Sequence, residues 1–356
     1  MARNGSMKAA IKAEPKPGIQ VGELPVPRIS PEEVLIRVKA VGICGSDVHI
    51  YEWTPGYEQL ADFMPMVLGH EFAGEVAEVG SQVSGVKVGD RVVYQGGSCN
   101  QCFYCITARH SICDQRRAAG RIGLEKKGGM AEYVAINVRQ NFLPQIPAEV
   151  SFEEAAQSQP TAEALHIVEQ GGISLGEPVV VLGAGPIAVT AAQGAKAAGA
   201  SPVIVTGLTR DKARLEIAKS LGADVTIDVE REDPVEKVRA LTGGLGAAKV
   251  LEVSGSPRAF NQGLELLRKG GTLVCFGIYP ENISVDFTRR VVREMKIIRG
   301  VYGASRLAWN KVLSFMASGQ IRVAPLITHR LPLEQVDQGF RACQERKAMK
   351  VMLLPS

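Results

Sequence analysis

The sequence predicts an α/β fold in two parts, a β-rich part and a part built on a doubly wound parallel sheet. Gly and Pro interrupt short apolar segments throughout residues 7–150, as in a barrel or sandwich. From residue 178 onward, strand-like and helix-like segments alternate, which is typical of βαβ units. The 356 residues are enough for two domains with sizeable cores.

The elements of both parts can be read in order. The β-rich part carries the strand-like segments EEVLIRVKAVGICG, EFAGEVAEVG, GDRVVYQGG and GGMAEYVAI. Helical spacing then appears in SFEEAAQSQPTAEALHIVEQGG, which marks the change of part. Strands PVVVLG, PVIVTG, VTIDV, AKVLEVSG and GTLVCFGIY follow, with helices PIAVTAAQGAKAAGA and RDKARLEIAKSLGA among them. A helix over ASRLAWNKVLSFMASGQ and a last strand KVMLLP complete the chain.

Composition and charge exclude several function classes. The net charge is +4 with the two signs interspersed, so no nucleic-acid footprint is expected. No apolar run reaches the length of a membrane span, and the first residues lack the apolar core of a signal peptide. We expect a cytoplasmic protein that acts on a small molecule, without a nucleic-acid or membrane partner.

Four of the seven cysteines lie in one short segment, CNQCFYCITARHSIC. Cys99, Cys102 and Cys105 are separated by two residues each, and Cys113 follows. An odd cysteine count in a reducing compartment argues against a disulfide framework, whereas four thiolates at this spacing suit a closed tetrahedral zinc site. The alternatives are redox cysteines or unpaired loop thiols.

A glycine-rich turn follows the first strand of the α/β part. Gly183, Gly185 and Ala188 in VLGAGPIA match G-x-G-x-x-A, and Pro186 and Ile187 begin the helix. The glycines permit a tight turn and close approach of a pyrophosphate, which the helix N-terminus attracts. The motif therefore predicts a dinucleotide site, the alternative being a glycine-rich turn in an unrelated α/β fold.

Together with GICGSDVHIYEW, GHEFAGEV, GDRV and PLITHRLPLE, these motifs make the chain resemble the zinc-dependent medium-chain alcohol dehydrogenases along its whole length. The polyol (sorbitol-type) and threonine dehydrogenases are the most similar branch. The resemblance implies a GroES-like catalytic domain over residues 1–160 and 300–356, with a structural zinc lobe at 95–116. A Rossmann domain would span residues 161–299, with the active site in the cleft between the domains and a tetramer as the assembly.

The resemblance also implies residue roles. Cys44 and His70 match the ligands of a catalytic zinc, and Glu71 matches a ligand or a carboxylate behind that histidine. Ser46 and His49 match the proton-relay region, although His49 could also be a surface histidine. With the structural lobe, the expected cofactors are two Zn²⁺ per chain and NAD or NADP.

The chain departs from the family pattern at two places. Gln159 precedes Pro160 where the polyol and threonine branches usually have Glu. An uncharged amide could offer its oxygen to the catalytic zinc or to its water, which leaves open whether Gln159 is itself a ligand. Gly207 ends the second Rossmann strand, where an acid normally binds the ribose hydroxyls of NAD. Thr209 and Arg210 follow, and Arg210 could pair with a 2′-phosphate. This turn favours NADP, or the use of both dinucleotides, unless Arg210 is only a solvated residue at a helix start.

The function these features predict is oxidation of a secondary alcohol of a polyol or sugar, with hydride transfer to NAD(P)⁺. L-Threonine 3-dehydrogenase activity is the alternative enzyme. A non-catalytic protein that senses NADP is the alternative from another class.

Overall fold

The computed structural model describes residues 5–355, in which 15 strands and 11 α-helices are assigned. They form two compact units. The first contains the chain up to Gln159, Trp309–Ala317 and the segment from Val323 onward. The second contains Pro160–Ala308 and Ser318–Arg322. Pro160 and residues 300–308 and 318–322, which the sequence analysis assigns to the catalytic domain, lie in the second unit by this division. No helix in the described range is long and apolar enough to cross a membrane.

The first unit is built on two sheets. A three-stranded sheet has the order β2-β1-β4, and a six-stranded sheet has the order β14-β15-β3-β5-β6, with β7 paired to β3. The last strand, β15, therefore lies beside β3, although some 300 residues separate them. The strands are β1 (Ser6–Lys12), β2 (Gln20–Pro25), β3 (Glu33–Gly42), β4 (Met66–Val67), β5 (Glu71–Val79), β6 (Arg91–Val93), β7 (Tyr133–Asn137), β14 (Ile327–Pro332) and β15 (Lys350–Leu354).

Short helices and a continuous apolar core complete this unit. The core includes Ile36, Phe72, Ile136 and Phe340, all with side chains out of contact with water. Phe340 stacks on Tyr51 with ring centroids 4.5 Å apart, so the last helix packs against the first. The helices are α1 (Gly45–Glu52), α2 (Phe103–Ile106), α3 (Arg116–Ala119), α4 (Phe152–Ala155) and α11 (Val336–Gln344).

The second unit contains one six-stranded sheet. Its order is β10-β9-β8-β11-β12-β13, and every neighbouring pair is parallel. This is the doubly wound Rossmann order, with the topological switch between β8 and β11. The fold class predicted from the sequence, a GroES-like part and a Rossmann part, is confirmed. The strands are β8 (Val179–Leu182), β9 (Val203–Gly207), β10 (Val225–Asp228), β11 (Ala247–Glu252), β12 (Leu267–Cys275) and β13 (Ile297–Gly300).

Helices connect these strands as the alternation predicted. The small residues of α6 allow it to pack closely on the sheet, since Ala188, Ala191 and Ala195 are buried. The helices are α6 (Pro186–Ala197), α7 (Lys212–Ser220), α8 (Pro234–Leu241) and α9 (Pro257–Leu266), and two further helices, α5 (Ser158–Gly171) and α10 (Arg306–Ala317), contain residues of both units.

The helical segment around residue 158 is two helices rather than one. The Ser151 hydroxyl caps α4 by accepting a hydrogen bond from the Glu154 backbone N–H. In turn, the Glu154 carboxylate accepts a hydrogen bond from the Ser151 backbone N–H. Pro160 lacks a backbone N–H and disfavours helical geometry at the preceding residue. It is tolerated in the first turn of a new helix, where no partner is needed, so α5 begins at Ser158.

Candidate active site

The four clustered cysteines converge on one point. The Sγ–Sγ distances are 3.4 Å for Cys99–Cys113, 3.6 Å for Cys102–Cys105, 3.8 Å for Cys99–Cys105 and 3.9 Å for Cys102–Cys113. Sulfur atoms bonded to one tetrahedral Zn²⁺ at about 2.3 Å lie about 3.8 Å apart, whereas a disulfide needs about 2.05 Å. The four donors therefore fit a closed zinc site and are not disulfide-bonded.

The local environment prepares these thiols unequally. A hydrogen bond from the Cys105 backbone lowers the pKa of Cys102 to about 6, and backbone N–H groups also lower the pKa of Cys99. Burial raises the pKa of Cys105 to about 12 and raises that of Cys113. The two buried thiols therefore need a bound cation to ionise at neutral pH.

A second group of ligating atoms forms where β3 and β5 meet α1. One atom each from Cys44, His70 and Glu71 lies within 4.8 Å of the others. Cys44 directly precedes α1, and Glu71 begins β5 opposite Gly42, the last residue of β3. Thiolate, imidazole and carboxylate are all zinc ligands, and three protein ligands leave a fourth position open.

Two buried residues that the sequence analysis missed hold these groups. Asp47, fully buried, accepts a hydrogen bond of 3.0 Å from the Cys44 backbone N–H, and its other oxygen lies 3.6 Å from Nδ1 of His70. Lys350, the first residue of β15, forms a buried ion pair with Glu71 and donates 3.1 Å to the carbonyl of Ile43. The sequence contained a signal for each residue: Asp47 is an acid within GSDVHI, and Lys350 is a charged residue at the start of the apolar segment KVMLL.

The charges of this cluster match a divalent cation. Burial raises the pKa of Cys44, and the carboxylates of Glu71 and Asp47 raise it further. Burial alone would lower the pKa of Lys350, but Glu71 raises it on balance, so the ammonium stays charged. With Cys44, Asp47 and Glu71 ionised, the cluster carries three negative charges. Lys350 contributes one positive charge, so the net charge of −2 suits Zn²⁺.

A close approach at Gly42 makes room for the ion pair. A Cβ atom at this position would lie 2.5 Å from Oε2 of Glu71 and 2.9 Å from Cε of Lys350. Real Cβ atoms essentially never sit this close, so a larger residue at the end of β3 would force the side chains of the ion pair to shift.

The remaining predicted catalytic residues lie in the same unit. Ser46 is half-buried and hydrogen-bonds to the thiol of Cys44. His49 is exposed, with Nδ1 3.5 Å from the Thr54 hydroxyl and its ring stacked 6.1 Å from that of Tyr57. Gln159 has a buried Oε1 without a hydrogen-bond partner, an acceptor that remains available.

The predicted dinucleotide residues follow strands β8 and β9 of the second unit. Gly183 directly follows β8 with φ +118°, and Gly185 caps α6, whose first residues are Pro186 and Ile187. Gly207 ends β9 beside Asp228, the last residue of β10.

The turn after β9 is held by two carboxylates. The Thr209 hydroxyl donates a hydrogen bond of 2.7 Å to the Asp228 carboxylate. The Thr209 backbone N–H donates one of 2.8 Å to the Glu230 carboxylate. Arg210 follows with an exposed side chain. The carboxyl ends of β8 and β9 thus present the two parts of the predicted dinucleotide site at one edge of the sheet.

Comparison with known proteins assigns the family. Residues 30–148 match the alcohol dehydrogenase GroES-like domain, and residues 186–318 match the zinc-binding dehydrogenase family. An L-threonine 3-dehydrogenase of Bacillus velezensis is 37% identical over 353 residues, 99% of this chain and 99% of that protein. The chain belongs to the zinc-dependent alcohol dehydrogenases. It is therefore an enzyme that oxidises a CH–OH group with NAD(P)⁺, which excludes the alternative of a non-catalytic sensor.

Other members of this alcohol dehydrogenase family match over the same length. A sorbitol dehydrogenase of Halalkalibacterium halodurans is 37% identical, covering 98% of this chain and 99% of that protein. A zinc-binding dehydrogenase structure from Sinorhizobium meliloti, bound to NADP, superposes with a TM-score of 0.87 at 29% identity. That match covers 99% of this chain and 100% of the other. The resemblance found in the sequence motifs is thereby confirmed.

The cysteine lobe gives a first prediction. Cys113→Ser should remove one zinc per chain and lower the free energy of unfolding by on the order of 3 kcal/mol, because the buried thiolate cage loses its cation. Zinc analysis and urea unfolding measure the two effects. Cys343→Ser, in α11 and outside both clusters, is the control and should retain both metals. A Cys113→Ser protein with unchanged zinc content would contradict the assignment.

The buried ion pair gives a second prediction. Lys350→Met leaves the Glu71 carboxylate buried without its cation, which should destabilise the metal-free protein by about 3 kcal/mol. Bound zinc supplies the missing charge, so the loss should be much smaller in the zinc-loaded protein. Thermal unfolding with and without zinc tests this difference, and Lys350→Arg, which keeps the charge, is the control. An equal loss in both states would mean that Glu71 does not face the metal.

Proposed function

We propose that this dehydrogenase oxidises a secondary hydroxyl of a polyol or sugar to a ketone, with NAD(P)⁺ as the hydride acceptor. The observation that carries the proposal is the convergence of Cys44, His70 and Glu71, a three-ligand set with an open fourth position. It is supported by the sorbitol dehydrogenase at 37% identity over nearly the full length. L-Threonine, which also carries a secondary hydroxyl, is the second candidate, supported by relatives at similar identity.

The proposed metal roles follow from the donor sets. Cys44, His70 and Glu71 would hold the catalytic zinc, with Glu71 shared between the metal and Lys350. Asp47 faces Nδ1 of His70, which leaves Nε2 for the metal. Cys99, Cys102, Cys105 and Cys113 would hold the structural zinc.

Gln159 is proposed to face the catalytic metal or its water through Oε1. Its lack of a partner within the protein supports this assignment, because a buried acceptor without a donor is costly. An amide adds no negative charge to a set whose charges already balance Zn²⁺, so the site should be more Lewis-acidic than one with Glu at this position.

Zinc, when bound, is a Lewis acid that lowers the pKa of an alcohol hydroxyl, and oxidised nicotinamide, when bound, accepts hydride. The Ser46 hydroxyl, hydrogen-bonded to Cys44, is placed to accept the substrate proton. His49 lies three residues further along α1, on the same side of the helix, and is exposed to solvent. These two residues therefore form the proposed path of the proton to water.

The dinucleotide would lie across the carboxyl ends of β8 and β11. Gly183 and Gly185 allow the backbone to approach the pyrophosphate, and the N-terminus of α6 with Pro186 and Ile187 attracts its charge. The NADP bound to the structural neighbour from S. meliloti supports this assignment.

For the adenosine end we propose NADP, or use of both dinucleotides. Gly207 provides no acid, and a Cβ there would lie only 3.1 to 3.3 Å from Leu215, Ala184 and Asp211. Arg210 is exposed beside Thr209 and forms no ion pair within residues 5–355, so it can reach a 2′-phosphate. Asp228 and Glu230 keep acidic groups nearby, which limits the preference.

We also propose a cytoplasmic homo-oligomer, a tetramer as the family resemblance implies. None of the seven cysteines, all within residues 5–355, forms a disulfide, which suits a reducing compartment. Exposed apolar side chains beside and along the edge strand β13, including Met295 and Ile297, support contact with a second copy.

The proposed activity predicts a specific pattern in a substrate screen. Wild-type enzyme should reduce NAD(P)⁺ with polyols or sugars, and Cys44→Ser should lose turnover by about three orders of magnitude while keeping dinucleotide affinity, because only the catalytic metal is affected. Nicotinamide absorbance measures turnover, and L-threonine is screened in parallel. Cys343→Ser is the control. Full activity after zinc removal would contradict the proposal, and activity on threonine alone would establish the second candidate.

The turn after β9 predicts the cofactor response. Arg210→Ala should lower kcat/KM for NADP⁺ about tenfold and leave that for NAD⁺ within about twofold, because only NADP⁺ carries a 2′-phosphate. Lys219→Ala, which removes the same charge from the other end of α7, is the control. Arg210→Ala is a cleaner test than Gly207→Asp, because a side chain at position 207 would be crowded by its neighbours and would add strain. A tenfold wild-type preference for NAD⁺ with no response to Arg210→Ala would contradict the proposal.

A further inference from the structure

A buried carboxylate lies at the carboxyl end of the Rossmann sheet and has no role in the mechanism above. Glu252 is the last residue of β11, and its side chain is 0% exposed. In register it stands between Leu182 at the end of β8 and Cys275 at the end of β12. It therefore lies at the strand edge where a Rossmann fold binds its ligand.

Only neutral groups satisfy this carboxylate. Oε1 accepts hydrogen bonds from the Ser254 N–H at 2.8 Å, the Ser254 hydroxyl at 2.5 Å and the Gly255 N–H at 3.1 Å. Oε2 accepts from the Tyr279 hydroxyl at 2.5 Å. Within residues 5–355 no lysine, arginine or histidine forms an ion pair with Glu252, so its charge is not neutralised locally.

The titratable groups next to Glu252 stay neutral. Burial and the adjacent Glu252 carboxylate raise the pKa of Tyr279 well above its usual range. Burial raises the pKa of Cys275 to about 11, although a hydrogen bond with Tyr279 opposes the shift. Glu252 is the carboxyl group of this cluster, and its two oxygens accept four hydrogen bonds, as a carboxylate does. In a region of low dielectric constant the field of a carboxylate extends further than in water.

The loop that Glu252 holds lies beside the dinucleotide motif. A Cβ atom on Gly183 would lie 3.4 Å from Cβ of Ser254. Strand order reverses between β8 and β11, and a dinucleotide spans that switch point. Its adenosine half belongs to the β8–β9 side, where the glycine turn and the ribose-binding position lie, so its nicotinamide half belongs to the β11–β12 side. Glu252 ends the first strand on that side.

We propose that the buried carboxylate of Glu252 selects the oxidised dinucleotide over the reduced one. The nicotinamide ring carries a positive charge when oxidised and none when reduced, so a nearby negative charge stabilises only the oxidised form. The inference rests on the proposed dinucleotide site. It makes Glu252 a determinant of the relative affinities for NAD(P)⁺ and NAD(P)H, beyond its part in holding the 253–255 loop.

Glu252→Gln separates charge from geometry. The amide oxygen can keep the three donors of Ser254 and Gly255, and the amide nitrogen can donate to the Tyr279 hydroxyl oxygen. The variant should weaken binding of NAD(P)⁺ roughly three- to tenfold and leave NAD(P)H within about twofold. Calorimetric titration measures the oxidised forms and nucleotide fluorescence the reduced forms, both without substrate. Glu177→Gln, at the amino end of β8 on the opposite edge, is the control.

Tyr279→Phe provides a second test, measured by the same binding titrations, that does not depend on whether Glu252→Gln folds. It removes one neutral donor and keeps the charge, so the ratio of oxidised to reduced affinity should stay within about twofold or move toward the oxidised form. The inference about Glu252 would be overturned if the affinity ratio in Tyr279→Phe shifted toward the reduced form, or if both affinities changed equally in Glu252→Gln. Neither result would affect the proposed dinucleotide site. A wild-type protein that binds neither form would overturn the proposed dinucleotide site itself.

Discussion

The buried ion pair between Glu71 and Lys350 is the constraint on which the arrangement of the first unit depends. It joins the start of β5 to the start of β15, so the chain must return to this unit after the Rossmann part. Neither charge is tolerable alone in the core, because desolvation costs several kcal/mol for each ion. Glycine at position 42 leaves space for this pair, since a Cβ atom there would displace the side chains of Glu71 and Lys350.

The electrostatic design is the same in principle in both units. Around Cys44 a surplus of negative charge is concentrated, with Asp47 and Glu71 buried beside the thiol, which suits a divalent cation. In the Rossmann unit Glu252 is buried among neutral donors, which suits a ligand with a single positive charge that disappears on reduction. In each case the protein bears the cost of desolvating a carboxylate in advance, and the ligand supplies the missing charge.

Local spacing made much of this chain predictable from sequence. The cysteine lobe and the turn at Gly183 are short segments whose chemistry depends on neighbours a few residues away, and the strand–helix alternation predicted a doubly wound parallel sheet. The role of Lys350 was not predictable in this way, because its partner Glu71 is 279 residues distant in the sequence. The segment KVMLL also does not indicate which strand it pairs with. Asp47 was overlooked for another reason, since an acid in the first turn of a helix is commonly just a capping residue.

Glu252 shows why the sheet order matters more than the motif for the oxidised–reduced balance. LEVSG contains an ordinary glutamate before a glycine turn, and its sequence position is 69 residues beyond Gly183. The placement of β11 next to β8 brings Ser254 beside the glycine motif, where a Cβ atom on Gly183 would meet it. The parallel order then sets the carboxylate on the nicotinamide side of the switch point, where its charge can act on one redox state and not on the other. A glutamate at the amino end of the same strand would have the same charge and no such selectivity.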